Sequence, residues 1–372
     1  MPPVAFTGTL NANEIFASIF NMIISQHVFA DNIVHKYSLV ERFRVDGTLC
    51  GDTKLFYAPD ALKTTKWGAD AEATNLLQLH RPKAPQCQKV TINIFRQISL
   101  TIDNYLTKRA WADEYSFSMF NSVMVGMMST TKDVYENTLF NTFVGTTESS
   151  VGNQLQNVKL SDYESVTDLE AKARLRAQRI AKTLADIFVE LGDYSRKWND
   201  YGNIRAYDED SFIIVGNSKY INEITLLDLP TIFHQDGLSA KDKMVLLPSR
   251  YFGVPVTVTG TQITADGKTI RSLIEQDITL PSEEIEHVFA GDLIPTGVVV
   301  ASTTAVVYPS YTQKDDVICK IVHKNGIPFM SAFEAGTSFF NPKSLTENRY
   351  LTFGHSTLDY LANYPFITLH EN

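Results

Sequence analysis

One stretch of the chain, residues 167–192, predicts a long helix because its start, its period and its end agree. Thr167 and Glu170 form a capping box, in which each side chain satisfies a backbone N–H at the helix start. Gly192 is a typical helix stop. Apolar residues recur in steps of three and four, which predicts one face on a core; they are Leu169, Ala173, Ala177, Ile180, Leu184, Ile187 and Leu191. The opposite face is charged, with Lys172, Arg176, Arg179, Lys182, Asp186 and Glu190.

The apolar run 211–216, Ser-Phe-Ile-Ile-Val-Gly, follows this helix after a polar connection and predicts a buried strand. The chain has 372 residues, enough for two ordinary domains or one domain with large excursions. Apolar residues make up 44% and charged residues 20%, which excludes a disordered chain. A long helix leading into a central strand is therefore expected in a folded protein with an ample core.

Charge and cysteine content narrow the function classes further. The net charge of −9 argues against a surface built to hold nucleic acid, so any contact with DNA should be weak. Cys50, Cys87 and Cys319 are too few and too scattered for a disulfide framework or a zinc site. The sequence has no apolar run of about 20 residues and no secretory signal. We expect reduced thiols, a chain that folds in the cytoplasm, and no membrane contact.

The N-terminal residues 1–36 predict an apolar arm that lies on a neighbour. Asn13 is a suitable N-cap for a helix. Its apolar side would carry Ile15, Phe16, Ile19, Phe20, Ile23 and Ile24. A terminal segment with such a face is ordered only when it docks on something.

Residues 37–105 predict an extended excursion. Alternating residues indicate strands at 38–45, 54–57 and 89–100. Between the last two lies a polar stretch, Pro59 to Gln88, and an excursion of this length in a compact domain is generally functional. Its exposed apolar residues are candidates for contacts with another subunit: Trp67, Leu76, Leu77 and Leu79.

The remaining elements are a second long helix and a β-rich second half. The helix is predicted over 113–144, with Gly145 as its end; its apolar side is Phe117, Phe120, Val123, Met124, Met127 and Met128. Residues 218–227 predict a helix in their first half. Strands are predicted at 244–248, 255–259, 269–280, 297–308, 316–322, 331–333 and 348–353, with a hairpin turn at Asp266-Gly267.

The chemistry that a catalytic or cofactor site needs is missing from the sequence. Gly267-Lys268-Thr269 resembles the end of a phosphate-binding loop, but Gln262 stands where the motif needs glycine. The polar groups Glu283, Glu284, Glu286 and His287, His234 with Asp236, and Asp315 with Asp316 are interpreted as solvated segments, since a metal site needs three or four converging ligands. We therefore predict no catalytic residues, no cofactor, no metal and no enzymatic activity.

The order of elements resembles the major capsid proteins of tailed bacteriophages with the HK97-type fold, and the size resembles those of short-tailed phages. The stretch from Arg174 to Val215, a helix followed by an apolar strand, looks like the start of that family's axial domain. The resemblance implies an α+β fold with an N-terminal arm (1–36), an extended loop (37–105), a spine helix and peripheral domain (106–200), an axial domain (201–310) and a return to the peripheral domain (311–372).

The resemblance also implies function and partners. The chain would assemble as pentamers and hexamers into an icosahedral shell around double-stranded DNA, be made in the host cytoplasm and reside in the virion. Because the sequence starts with Met1-Pro-Pro and no charged helical segment precedes the arm, a separate scaffolding protein is expected, with a portal. The alternatives are a two-domain cytoplasmic α/β enzyme with its site near residues 281–287, and another virion component such as a portal or tail protein.

Overall fold

The computed structural model describes residues 38–46, 53–64, 79, 81–103, 114–225, 244–258, 270–280, 282, 284–295 and 308–372. These residues form two compact units. The described parts of residues 94–134 and 332–354 form the hairpin unit, and those of residues 37–93, 135–331 and 355–372 form the sheet unit. The predicted N-terminal helix, the Asp266-Gly267 turn and nearly all of the predicted strand 297–308 lie outside the described residues.

The described residues contain four α-helices and fifteen strands. The helices are α1 (Val40–Phe43), α2 (Glu114–Thr146), α3 (Leu169–Gly192) and α4 (Ser218–Thr225). The strands are β1 (Arg44–Asp46), β2 (Thr53–Ala58), β3 (Gln86–Asp103), β4 (Leu155–Val158), β5 (Phe212–Asn217), β6 (Met244–Leu247), β7 (Gly253–Val258), β8 (Ile270–Ser272), β9 (Gln276–Thr279), β10 (Ile285–Val288), β11 (Tyr308–Gln313), β12 (Val317–His323), β13 (Phe329–Asn341), β14 (Thr346–Ser356) and β15 (Phe366–Glu371).

A five-stranded sheet in the order β4-β15-β12-β5-β6 is the centre of the sheet unit. Strand β5 pairs antiparallel with β12 and parallel with β6. All of its residues are buried, which confirms the strand predicted from the apolar run. A strand with two buried faces needs apolar side chains at consecutive positions, and this is why the run does not alternate with polar residues.

Two cores, one on each face of this sheet, hold the sheet unit together. Phe212 and Ile214 of β5 belong to the core that contains the apolar face of α3. Ile213 and Val215 belong to the other core, which includes Phe140 and residues of α1. Because successive side chains of a strand point to opposite faces, one short strand contributes to both cores. Residues 135–146 of α2 and the helix α3 therefore cover opposite faces of one sheet.

Helix α3 is confirmed and ends at Gly192 as predicted, but the predicted capping box at its start is wrong. The N-cap is Asp168, whose Oδ1 accepts a hydrogen bond from the Glu170 N–H at 3.0 Å, so Thr167 does not cap. Gly192 is the last helical residue, and the chain leaves through an extended Asp193 without a left-handed glycine. Leu169 is exposed because the first turn extends past the core, whereas the apolar positions from Ala177 to Leu191 are buried.

Helix α2 is also confirmed, and it ends one residue beyond its predicted stop. Gly145 is helical, and its role is close packing. A Cβ at this position would lie 2.1 Å from the Tyr251 carbonyl oxygen, so only glycine fits there. Met127 was assigned to the apolar side but is exposed, whereas Met128 is buried.

The extended segments agree with the prediction except at their start. Residues 38–45 were predicted as a strand, but Val40–Phe43 is a helical turn, with β1 after it. Val40 and Phe43 are three residues apart, so one turn buries both. Strands β2 and β3 lie where strands were predicted, and they pair antiparallel, with Thr53 opposite Thr91 and Ala58 opposite Gln86. The predicted strand 269–280 is divided into β8 and β9.

The hairpin unit contains the ends of β3, β13 and β14 together with the first part of α2. Lys132 of α2 pairs with Glu334 at 2.6 Å and lies over the Phe353 ring. On the sheet, the rings of Phe95 and Phe333 stack with centroids 6.4 Å apart. Strand β3 has 18 residues and, at about 3.3 Å per residue, is about 60 Å long. Strands in globular proteins usually have about 3–10 residues, so β3 is unusually long.

Candidate assembly surfaces

The predicted long loop connects β2 to β3, and its outgoing end is fixed to the sheet unit by Asp60. One carboxylate oxygen of Asp60 accepts from Arg196 Nη1 at 2.8 Å. The other accepts from the Ile204 N–H at 3.1 Å. The Arg196 guanidinium, with the Ile204 N–H, lowers the pKa of Asp60 to about 2. In addition, Arg205 Nη2 donates to the Pro59 carbonyl oxygen at 2.6 Å.

The returning end of the loop is fixed by Gln88, which uses both ends of its amide. Its Nε2 donates to the Tyr360 carbonyl oxygen at 2.9 Å and to Asp359 Oδ2 at 3.0 Å. Its Oε1 accepts from the Ala362 N–H at 3.0 Å. Both ends of the connection 59–85 are thus held by hydrogen bonds to distant parts of the chain.

The loop base carries apolar side chains that the sheet unit does not cover. In β2, Leu55 and Tyr57 point outward, while Phe56 and Ala58 point toward the protein. A cleft of about 200 Å³ beside them is lined by, among others, Tyr57, Tyr201, Leu361 and Tyr364. Of the predicted contact residues, Leu79 is described and is 76% exposed. Ile15, Phe16, Ile19, Phe20, Ile23, Trp67, Leu76 and Leu77 lie outside the described residues.

A fully buried lysine connects the end of α2 to the central sheet. Lys320 of β12 donates from Nζ to the Thr147 carbonyl oxygen at 2.5 Å, just after the last turn of α2. Burial lowers the pKa of Lys320 to about 7, although the nearby carboxylate of Glu148 acts in the opposite direction. Glu148 itself lies 3.3 Å from His370 Nε2, which lowers the pKa of this carboxyl. The ammonium group thus provides a donor for one carbonyl group at the helix end, where carbonyl groups lack intrahelical partners.

The acidic segment near His287, which was considered as a metal site, contains strand β10, and β10 pairs with β9. His287 of β10 lies opposite Asp277 of β9. Its Nδ1 is 2.7 Å from Asp277 Oδ1, and its Nε2 is 3.0 Å from Glu275 Oε1. The two carboxylates thus sit at different ring nitrogens and raise the pKa of His287. Within the described ranges, no group of three or more His, Cys, Asp or Glu side chains could hold a metal ion.

The family model of the Phi29-like phage major capsid proteins matches residues 6–369, which is nearly the whole chain. The chain belongs to this family. The capsid protein is similar to a chain in the capsid structure of Staphylococcus phage Andhra, with a TM-score of 0.64, 10% identity and coverage of 93% of this chain and 87% of that chain. It is also similar to a chain in the structure of the head fiber and inner core protein gp22 of native bacteriophage P68, with a TM-score of 0.62, 11% identity and the same coverages.

These similarities confirm the predicted α+β fold of HK97 type. No curated protein matches the sequence of the capsid protein. Its described helices include none that is long and apolar enough to cross a membrane. The relatives are structural proteins of phage capsids, which favours a structural role over the alternative of a two-domain enzyme.

The residues that position the loop were not found from the sequence. Asp60 and Arg196 are 136 residues apart, and Gln88 and Tyr360 are 272 apart, so no local pattern connects them. Lys320 was missed as well, because a lysine within an alternating strand is expected to face water. The sequence indicated only the loop itself, through the length and the proline content of the stretch between the two strands.

Proposed function

We propose that the chain is the repeating subunit of a phage head, a closed icosahedral shell that encloses double-stranded DNA. The observation that carries this function is the family match over residues 6–369, together with a fold shared with capsid structures. A repeated subunit needs surfaces that remain uncovered until another copy arrives, and Leu79 on the long loop provides one.

The proposal also assigns a role to each segment of the chain. Residues 1–36 act as an arm and 37–105 as an extended loop, and both cover neighbouring subunits within pentamers and hexamers. Residues 106–200 and 311–372 form the peripheral domain and 201–310 the axial domain. Support for the loop comes from its base: hydrogen bonds of Asp60 and Gln88 fix where the loop starts, so its outer part can be presented at a constant place.

The proposed shell function also implies partners for the subunit. A separate scaffolding protein and a portal take part in assembly in the host cytoplasm, and the product is the virion. Packaged DNA makes weak, non-specific contacts, because a net charge of −9 repels the phosphate backbone. The subunit catalyses no reaction, and a screen for hydrolytic activity with added divalent metal tests this directly; turnover would favour the enzyme alternative.

Limited trypsin digestion tests the loop assignment. Lys63, Lys66 and Lys83 offer cleavage sites in the connection 59–85, whereas Arg81 is followed by Pro82 and is not cut by trypsin. Cleavage should be fast in the unassembled subunit, and at least tenfold slower in shells, where another copy covers the loop. The matched control is a site on the exposed face of α3, Lys182, whose cleavage should be slow in both states because it is helical. Equal loop cleavage in both states would contradict the assignment.

Deletion of residues 1–30 tests the arm. The truncated subunit should fold, with the same thermal midpoint as the full chain, but its yield of shells in sedimentation should fall at least tenfold. Assembly as efficient as that of the full chain would show that the arm makes no essential contact.

A further inference from the structure

One face of the sheet in the hairpin unit exposes aromatic, amide and hydroxyl side chains. Strands β13, β14 and β3 lie next to one another in this order. Alternate residues of a strand point to the same side, and on β3 Phe95 is 45% exposed while Gln97 and Thr101 are exposed as well. We call this side the open face; its residues are Phe95, Gln97, Thr101, Phe333, Asn348 and Thr352.

Hydrogen bonds between side chains show that β14 contributes to the same side. Gln97 Nε2 donates to Thr352 Oγ1 at 3.0 Å, and Thr101 Oγ1 donates to Asn348 Oδ1 at 2.8 Å. An amide group carries two N–H donors and a carbonyl oxygen that accepts two hydrogen bonds, so each of these bonds uses only part of the capacity of its amide. The open face can therefore exchange further hydrogen bonds with a ligand.

Two aromatic rings form the apolar part of the open face. The rings of Phe95 and Phe333 stack, with centroids 6.4 Å apart and an angle of 25° between their planes. A Cβ on Gly354 of β14 would lie 2.8 Å from two atoms of the Phe95 ring, so this ring occupies the place of the missing side chain. The glycine thus lets the ring approach the backbone of β14 closely, while 45% of the Phe95 side chain remains exposed.

The open face is uncharged, although the same strands carry charged residues. Within residues 95–101 and 348–354 the charged residues are Arg96 and Arg349, and both alternate with the residues of the open face. They therefore point to the other side of the sheet, where Arg349 pairs with Glu347 at 3.0 Å. A typical protein surface has about 25–35% charged residues. The open face thus offers no counter-charge to a polyanion or to a charged peptide.

The apolar area of the open face is small for a protein partner. The exposed parts of the two rings amount to roughly 170 Å². Each partner in a stable protein complex buries about 800 Å². A ligand that contacts two rings and a row of amides and hydroxyls needs far less area, and it has to be uncharged and rich in hydrogen-bonding groups.

We propose that the open face binds a neutral polysaccharide of the bacterial cell surface. A hexose ring has C–H groups on its two faces, which pack on aromatic rings such as Phe95 and Phe333. Its hydroxyl groups point outward and both donate and accept hydrogen bonds, as Gln97 and Asn348 do. The inference rests on the proposed shell function, because a shell repeats the same weak site on every subunit. Repetition raises the overall affinity by about 10²–10⁴-fold without a new contact.

Binding of assembled shells to immobilised polysaccharides tests the proposal. In biolayer interferometry the sensors carry dextran, laminarin or mannan, which are neutral hexose polymers, or heparin, which is a polyanion. Parent shells should bind at least one of the neutral polymers and bind it at least tenfold more tightly than heparin. Shells that bind none of the three, or that prefer heparin, would overturn the proposal.

Two variants test the place of binding. Phe95→Leu removes the flat ring but keeps an apolar side chain over Gly354, and Gln97→Ala removes one amide; each should form shells normally and weaken binding at least tenfold. The matched controls are Val189→Ala and Gln178→Ala, which change an exposed apolar residue and an exposed amide on α3. Both controls should bind like the parent. Parental binding by Phe95→Leu and Gln97→Ala would show that the open face is not the site.

The unassembled subunit separates this inference from the shell function. Saturation-transfer NMR with isomaltotriose, laminaritriose and mannotriose should detect weak binding to the parent subunit, and Phe95→Leu should remove the signal. That result would support the site even if the chain formed no shells. Binding by the subunit that is lost on assembly would show that another copy covers the open face, which would overturn its role as a polysaccharide site on the particle.

Discussion

Replacing the buried lysine of the central sheet should stabilise the capsid protein. Lys320 has no exposed surface, and burial lowers its pKa from 10.5 to about 7. In the unfolded chain the same group keeps its normal pKa, so the unfolded state binds more protons between pH 7 and 10.5. Stability therefore rises with pH through this window. At pH 7 the cost of burying the lysine is about 4 kcal/mol, and at pH 9 it is about 2 kcal/mol.

Lys320→Met removes this cost while keeping the length of the side chain. It also leaves the Thr147 carbonyl oxygen without its donor, which costs about 1–3 kcal/mol. The variant should be about 1–3 kcal/mol more stable than the parent at pH 7, and the gain should shrink by about 2 kcal/mol at pH 9. Lys324→Met is the control, because Lys324 follows the same strand but is exposed; its effect should stay within about 0.5 kcal/mol at both pH values.

Urea unfolding of the unassembled subunit measures the effect. Trp198 is buried in the α3 core and reports on the sheet unit once Trp67 and Trp111 are replaced by phenylalanine. A variant that is destabilised by more than about 1 kcal/mol at both pH values, with no dependence on pH, would refute the reasoning. It would mean that the ammonium group, held by Thr147 and near Glu148, contributes more than its burial costs.

Three further predictions concern the sheet unit. Leu184→Asp should abolish soluble protein in a solubility assay, because an unpaired buried charge costs several kcal/mol, close to the whole stability of a domain; a folded variant would contradict the assignment of this face. Burial lowers the pKa of His323 to about 4. The free energy of unfolding should therefore fall by about 3 kcal/mol as the pH decreases from about 6.5 to 4. In thermal scans, His323→Gln should remove much of this pH dependence. Asp168→Ala should lower the free energy of unfolding in urea by about 1 kcal/mol, whereas Thr167→Ala should leave it unchanged. A larger loss for Thr167→Ala than for Asp168→Ala would instead support Thr167 as the cap.

Elements that are stabilised locally could be predicted from the sequence. The apolar period of α3 matches the residues that contact the sheet, and the run at β5 matches a strand covered on both faces. The pattern does not tell where a core ends, and so Leu169 was assigned to a buried face although it is 81% exposed. At Val40 and Phe43 the spacing suits a helical turn, but the neighbouring residues alternate, and the strand interpretation was wrong.

Features that depend on distant partners could not be predicted. Lys320 alternates with Cys319 and Ile321 as an outward-facing residue would, and it is buried because the end of α2 covers that side of the sheet. Gly145 has the position of a helix stop, but the reason for a glycine there is the backbone of Tyr251. The loop could be recognised by its length, whereas its fixation by Asp60 depends on groups far along the chain.

Electron cryomicroscopy of particles assembled from the purified chain tests the central claim most directly. We predict closed shells with icosahedral symmetry, in which each subunit has the fold described above and the connection 59–85 lies on an adjacent copy. Rings, tubes or single particles under all assembly conditions would contradict the shell function. Closed shells in which this connection contacts only its own subunit would contradict the role proposed for the loop.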